Sequence, residues 1–179
     1  PKELISKTAA MFREQGAEVL EMPSISIEPA RDQRKLSMAL EKIDFYDWIV
    51  FTSINGVRIF FEEMKKQKKD IRSLGSCRIA AIGAGTKKTL EEKGLFCDLV
   101  PEHYDGVSLS RALADRLSGT EHILMPRAAS GNQEIVRILQ KKPGIQTDDI
   151  GIYETRCENW QLVPVKEMIE SGEIDWAVF

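Results

Sequence analysis

No stretch of this sequence approaches the roughly 18 consecutive apolar residues that a membrane-spanning helix requires, so that class is set aside. The first residues, PKELISKTAAMFREQ, contain no apolar core of the kind a secretory signal carries. They read instead as the start of an amphipathic helix, and a cytoplasmic protein is expected. Histidine is scarce: His103 and His122 are the only two, and neither belongs to a His/Cys/carboxylate pattern of metal-ligand type. No metal is therefore expected, and two widely spaced histidines supply no Ser/His/Asp or Cys/His set. The three cysteines, Cys77, Cys97 and Cys157, are too few and too far apart for a disulfide framework or a C-x-x-C motif. They are read as reduced structural thiols. Basic charge is not in excess either. With 25 Lys and Arg against 28 Asp and Glu, the net charge of −3 argues against nucleic-acid binding driven by bulk charge. No helix-turn-helix pattern or basic recognition helix is visible.

Nucleotide fingerprints fail as well. In GAGTKK, Gly83 and Gly85 give G-x-G, but Lys88 stands where a third glycine would complete the dinucleotide motif. The spacing of a phosphate-binding Walker loop is absent too, so neither NAD nor ATP is expected.

What is present is a helix–strand alternation in 179 residues, 42% of them hydrophobic and 30% charged. That suits one domain, or one domain and part of another. Periodicity predicts a helix from Lys2 to Gly16, an extended AEVLEMPSISIEP, a helix from Arg31 to Lys42 and the strand DWIVF. A helix from Asn55 to about Lys68 follows, ending in the run KKQKK, which reads as a solvated helix end complementing the dipole. Then come CRIAAIG (strand), TKKTLEEKG (helix), FCDLVP (strand), DGVSLSRALADRL (helix), HILMP (strand), SGNQEIVRILQKK (helix), extended GIQTDDIGIYETR, a helix over 162–171 and a last strand, DWAVF. Short apolar strands alternating with helices indicate an α/β fold with a mainly parallel sheet.

The phrase Asp-Trp-x-Val-Phe occurs at 47–51 and again at 175–179, each time after a helix and an acidic turn. This is read as a degenerate repeat, and hence as two parallel-sheet, flavodoxin-like lobes. The first helix has no strand before it and the last strand no helix after it. One lobe is therefore expected to be discontinuous and truncated: 1–23 plus 158–179, with 28–152 a complete inserted lobe. The crossings, 24–27 and 153–157, are expected to pair as a two-stranded ladder.

In an open parallel sheet, ligands bind beyond the carboxyl ends of the strands. Three strand-to-helix junctions are small, hydroxylated or glycine-rich: Thr52-Ser53-Ile54-Asn55-Gly56, Gly83-Ala84-Gly85-Thr86-Lys87-Lys88, and Pro126-Arg127-Ala128-Ala129-Ser130-Gly131-Asn132. Each opens a helix whose first N–H groups are free. Any one hydroxyl can be merely an N-cap; three junctions on one rim point toward a polyanionic ligand. Tyr153, on the second crossing, either faces the cleft as a proton or hydrogen-bond donor or packs at the domain joint.

FTSINGV after a DW strand, AAIGAGTKKTLEEKGL followed by VPEHYDGVSL, then ILMPRAASGNQEI and IYETR, in that order, resemble the uroporphyrinogen-III synthase family. The resemblance extends from the first helix to the final DWAVF. It implies two α/β lobes and a reaction without cofactor or metal. Hydroxymethylbilane, a linear tetrapyrrole with eight carboxylates, loses its terminal hydroxyl as water. It then closes through a spiro intermediate with inversion of the last ring. The resemblance also implies that Tyr153 assists departure of the hydroxyl, and that Thr86 and Ser53 face the cleft. Asn55, Gly83, Gly85, Arg127, Ser130 and Asn132 are expected around the acetate and propionate groups. A monomer is expected, receiving substrate by hand-over from hydroxymethylbilane synthase, with no nucleic acid or membrane partner. Half a cleft wall being absent, the 179-residue chain alone is expected to be nearly inactive. The alternative is a non-catalytic α/β ligand-binding or sensor domain for a small polyanion, and a nucleotide-dependent enzyme ranks third.

Overall fold

A computed structural model describes residues 2–22, 25–158 and 162–178. In chain order the elements are α1 (Lys2–Glu14), β1 (Ile25–Pro29), α2 (Arg34–Glu41), β2 (Trp48–Phe51), α3 (Ile54–Lys66), β3 (Arg78–Ala81) and α4 (Ala84–Glu91). They continue with α5 (Gly106–Ala114), β4 (His122–Ala128), α6 (Glu134–Gln140), β5 (Gln146–Cys157) and α7 (Leu162–Glu170). The strands form one five-stranded sheet in the order β1-β5-β4-β2-β3. Strand β2 runs parallel to both β3 and β4, and β4 runs parallel to β5. The fold is thus α/β with a mostly parallel sheet, as the alternation of elements predicts.

The apolar run of β2 follows from its position. All four residues of Trp48–Phe51 are buried, because neighbours flank both edges and helices cover both faces. Alternate side chains divide between the faces. Trp48 and Val50 pack with Leu109, Leu113, Ile123, Met125 and Leu139, the layer formed with α5 and α6. On the other face Phe51 meets Phe60 of α3 edge-on, ring centroids 5.3 Å apart. Asp47 aligns the strand entries. Its carboxylate accepts the His122 N–H at 2.8 Å. Its own N–H donates to the His122 carbonyl at 2.9 Å, and its carbonyl accepts the Arg78 N–H at 2.8 Å. The Arg78 guanidinium lies 5.4 Å from the centre of the Trp48 ring.

The second Asp-Trp phrase behaves differently. Asp175 is a bend, residues 176–178 have no regular structure, and Trp176 is 88% exposed. The expected last strand does not form among the described residues; Phe179 lies outside them. A strand exists by ladder pairing, and no described strand lies beside 175–178, whereas β2 is paired on both edges. Two other extended stretches are shorter than expected. Residues 17–22 are irregular, held by Arg13, which donates to the Glu21 carboxylate at 2.8 Å and to the Val19 carbonyl at 3.0 Å. Pro23 and Ser24 lie outside the described residues. FCDLVP reduces to one bridge, Leu99 to Ala80. There the Asp98 carboxylate takes the Ile79 N–H at 2.7 Å, a local side-chain bond that replaces a ladder bond at the sheet edge.

The chain divides into two compact units, Pro1–Glu28 with Thr155–Phe179, and Pro29–Glu154. Among the described residues, no helix is long and apolar enough to cross a membrane.

Candidate functional site

Because β2, β3, β4 and β5 are parallel, their carboxyl ends share one edge of the sheet, and the strand order sets their junctions in a row. At the β2–α3 junction Ser53 is an extended N-cap, its hydroxyl accepting the Gly56 N–H at 2.9 Å. The same hydroxyl lies 2.8 Å from the Tyr153 hydroxyl. Two site residues expected from sequence, 100 positions apart, are thereby brought into direct contact. Asn55 is half-buried on the first turn of α3.

The approach of Tyr153 depends on a β-bulge. Arg127 is opposite Gly151, but Ala128 is opposite Tyr153, so Ile152 has no partner on β4. Its carbonyl is taken instead by the Ala30 N–H at 2.9 Å and the Gln33 side-chain amide at 2.8 Å. Ile152 and Tyr153 are both buried, consecutive residues that an unbroken strand would turn to opposite faces. Gly56 serves close approach: a Cβ there would lie 3.0 Å from the Pro126 carbonyl oxygen and 3.2 Å from the Ser53 hydroxyl.

At the β3–α4 junction Gly83 is the extended, buried N-cap. The Tyr104 ring stands so near that a Cβ on Gly83 would be 2.8 Å from its Cγ. Gly85 is exposed beside Ile54, which lies 3.2 Å from where its Cβ would be, so this loop adjoins the β2–α3 junction. Thr86 is 4% exposed on the first turn of α4. The Thr89 hydroxyl donates to the Gly85 carbonyl at 3.0 Å.

The β4–α6 junction is built around Arg127. Arg127 is 2% exposed, and its guanidinium grips Asp149 of the neighbouring β5, Nε to Oδ1 at 2.5 Å and Nη2 to Oδ2 at 2.7 Å. Nη1 donates to the Asn132 carbonyl at 3.2 Å. The fork of Arg127, a residue expected from sequence around the acetate and propionate groups, is thus already filled by a bidentate protein partner. Gly131 makes room for it, since a Cβ there would fall 2.0 Å from Nη1. Ser130 and Asn132 are exposed, and the Asn132 side-chain oxygen accepts the Glu134 N–H at 2.8 Å. Sequence reasoning passed over Asp149 and Tyr104, and named Gly131 only as part of its junction. The Asp148-Asp149 pair inside a strand was the available signal, since a carboxylate on a central strand calls for a cation.

On this rim, Ser53 with one lone pair engaged by Gly56 can still donate to the Tyr153 oxygen. That orientation leaves the phenolic O–H free to donate to a ligand. The N-termini of α3 and α4 add N–H groups suited to carboxylates.

The family model described as uroporphyrinogen-III synthase HemD matches residues 6–179. A porphyrin biosynthesis protein HemD of Ruminiclostridium josui is 36% identical over all 179 residues, which make up 35% of that protein. A uroporphyrinogen-III synthase of Synechococcus elongatus is 29% identical over 152 residues, 85% of this chain and 57% of that one. Among solved structures, a mutant uroporphyrinogen III synthase from Thermus thermophilus superposes with a TM-score of 0.64. It covers 93% of this chain and 64% of its own at 18% identity, a likeness of fold. The chain therefore spans between about a third and two thirds of the length of these relatives.

Proposed function

Since the chain belongs to the uroporphyrinogen-III synthase HemD family, we propose that it is part of a synthase that closes hydroxymethylbilane to uroporphyrinogen III, inverting the last ring and releasing water. The observation that carries this reading is the Tyr153–Ser53 hydroxyl pair at 2.8 Å on the carboxyl edge of the sheet. In the proposed reaction Ser53 orients the phenol, which donates a hydrogen bond to the departing terminal hydroxyl. Leaving as water, that hydroxyl takes up a proton, and loss of the proton from the attacked pyrrole carbon balances it at closure. The rest of the task is positioning, since the uninverted isomer is what the free chain forms. Holding a flexible substrate in one shape contributes through lost motion prepaid on binding. Asn55, Gly83, Gly85, Thr86, Ser130 and Asn132 are proposed around the substrate's carboxylates, with main-chain N–H groups of α3 and α4 as donors. Arg127 is proposed to act through the loop it stiffens.

The lobe organisation is part of the same proposal: 1–23 with 158–179, an inserted 28–152, and crossings at 24–27 and 153–157. Two observations support it. The chain divides into residues 1–28 with 155–179, and 29–154, and β1 neighbours β5 in the sheet. A cytoplasmic monomer receiving its substrate from hydroxymethylbilane synthase completes the reading.

The test supplies enzymatically generated hydroxymethylbilane to the full gene product and to the 179-residue chain. Products are oxidised, and uroporphyrin isomers I and III are separated by chromatography. Isomer III above the no-protein control is expected from the full product, with Tyr153→Phe lowering turnover by about tenfold to a hundredfold while leaving the fold intact. Isomer I alone from folded protein would turn the reading toward a polyanion-binding domain, and an unchanged Tyr153→Phe rate would remove Tyr153 from the mechanism.

A further inference from the structure

The lysine-rich end of α3, expected from sequence to be a solvated helix terminus, walls a cleft of about 440 Å3, within the range of small-molecule sites. Its floor is apolar: Phe61, Met64 and Ile71. Around the floor stand Lys65, Lys68, Lys69 and, from the end of α4, Lys93. None of these four has an ion-pair partner among the described residues, whereas their neighbour Lys66, which does not line the cleft, is paired with Glu63 at 3.4 Å. The acid of the cleft, Asp70, is already engaged: its Oδ1 accepts the Arg72 Nε–H at 2.9 Å and the Arg72 backbone N–H at 2.8 Å. Four uncompensated ammonium groups thus face one concavity in a chain whose net charge is −3.

Backbone geometry singles out the same place. Lys68 has φ +55°, the left-handed conformation that glycine usually supplies after a helix, and no other non-glycine residue in the described chain has positive φ. Its N–H donates to the Lys65 carbonyl at 3.0 Å, and the Lys69 N–H to the Met64 carbonyl at 2.9 Å, closing the helix in one turn. A lysine therefore stands where glycine would make the turn with less strain. Lys93 is followed by Gly94 at φ +84°, and a Cβ on Gly94 would lie 4.0 Å from Ile71 Cδ1, so the end of α4 closes over the floor. Lysines at helix ends also balance the dipole, but a dipole requires no apolar floor. Both helices run back along parallel strands, so their final turns lie at the amino edge of the sheet, opposite Ser53 and Tyr153.

We infer that this cleft is a second, separate binding site for a small organic polyanion, an apolar aromatic frame bearing two or more carboxylate, sulfonate or phosphate groups. The frame covers Phe61, Met64 and Ile71, while lysines, as mobile point charges, accept acids of varied geometry. The inference stands independently of the function proposed above.

The probe is pyrene-1,3,6,8-tetrasulfonate, titrated into the 179-residue chain by fluorescence anisotropy and by amide chemical shifts. Saturable 1:1 binding is expected, with shifts centred on residues 61–71 and 93. Replacing Lys65, Lys68, Lys69 and Lys93 by Gln weakens it about thirtyfold. Replacing Lys7, Lys35, Lys141 and Lys166 by Gln, the same charge change elsewhere, leaves it within about twofold. The map on the unaltered chain decides the site even if the fourfold variant unfolds. Shifts scattered over the surface, or centred on Ser53 and Thr86, overturn the inference, as does equal weakening by the control substitutions. Displacement of the probe by a glutamate-rich peptide of higher affinity assigns the cleft to an acidic protein segment and overturns it too.

Discussion

Arg127 separates a binding role from a structural one. The guanidinium is 2% exposed and makes two charge-assisted bonds to Asp149, whose side chain is 24% exposed, plus one to the Asn132 carbonyl. Removing one partner of a buried ion pair costs about 3–5 kcal/mol because the other charge is left uncompensated. The two partners are not equally dry, so the costs should differ. Asp149→Ala strands a guanidinium that water scarcely reaches, and about 4 kcal/mol is expected. Arg127→Met keeps most of the apolar stem and leaves a carboxylate that is partly hydrated, so about 2 kcal/mol is expected. Arg127→Met with Asp149→Leu removes both charges and should return to within about 1 kcal/mol of the parent. Urea denaturation followed by fluorescence, with Trp48 buried in this unit, reads all three, each compared at a constant m-value. If Arg127→Met proved more costly than Asp149→Ala, or if the double variant were as unstable as the sum of the singles, the strut reasoning would be wrong. An Arg127→Met that left stability unchanged but raised KM several-fold would place Arg127 among the groups that hold the substrate's carboxylates.

Three further outcomes are expected. Burial opposes the charge on Glu121, but hydrogen bonds from the N–H and hydroxyl of Ser118 and the N–H of Gly119 outweigh it and hold its pKa at about 2. A folded-state pKa below the ordinary 4.5 gives stability present above pH 4.5 and lost as pH falls toward 2; Glu121→Gln should flatten that loss in acid unfolding curves and cost about 1 kcal/mol at neutral pH. Gly56→Ala should destabilise by about 1–3 kcal/mol, because its Cβ would meet the fixed Pro126 carbonyl at 3.0 Å; a neutral result in thermal melts would mean that α3 can shift away from β4. Burial, then the nearby Glu91 and Asp98 charges, push the Cys97 thiol up to about 11 despite Lys87. Iodoacetamide at pH 8 should therefore label exposed Cys157 well before Cys97, and mass spectrometry showing the reverse order would contradict the burial of Cys97.

The sequence by itself determined the α/β class and the order of helices and strands. Amphipathic periods of 3.6 and 2, and glycine or Asp-cap punctuation at element ends, are local properties that survive without tertiary context. DWIVF was legible as a buried parallel strand because four consecutive apolar residues suit only a strand covered on both faces. Residues 52–56 and 83–88 were legible as strand-to-helix junctions because small and hydroxylated residues meet the needs of free N–H groups. Ser53 as a candidate N-cap and Tyr153 as a candidate site residue could be named from the sequence. Tertiary structure alone decided that they touch, because contact depends on the β4–β5 register and on the bulge at Ile152, which no local pattern encodes. It also decided that Arg127 faces Asp149 and that Tyr104 covers Gly83, pairings set by neighbouring elements distant in sequence. The Asp-Trp phrase shows the division most plainly. Nearly the same residues make a buried strand at 48–51, where β3 and β4 supply partners, yet stay irregular over 175–178, because a strand's hydrogen bonds belong to its neighbours.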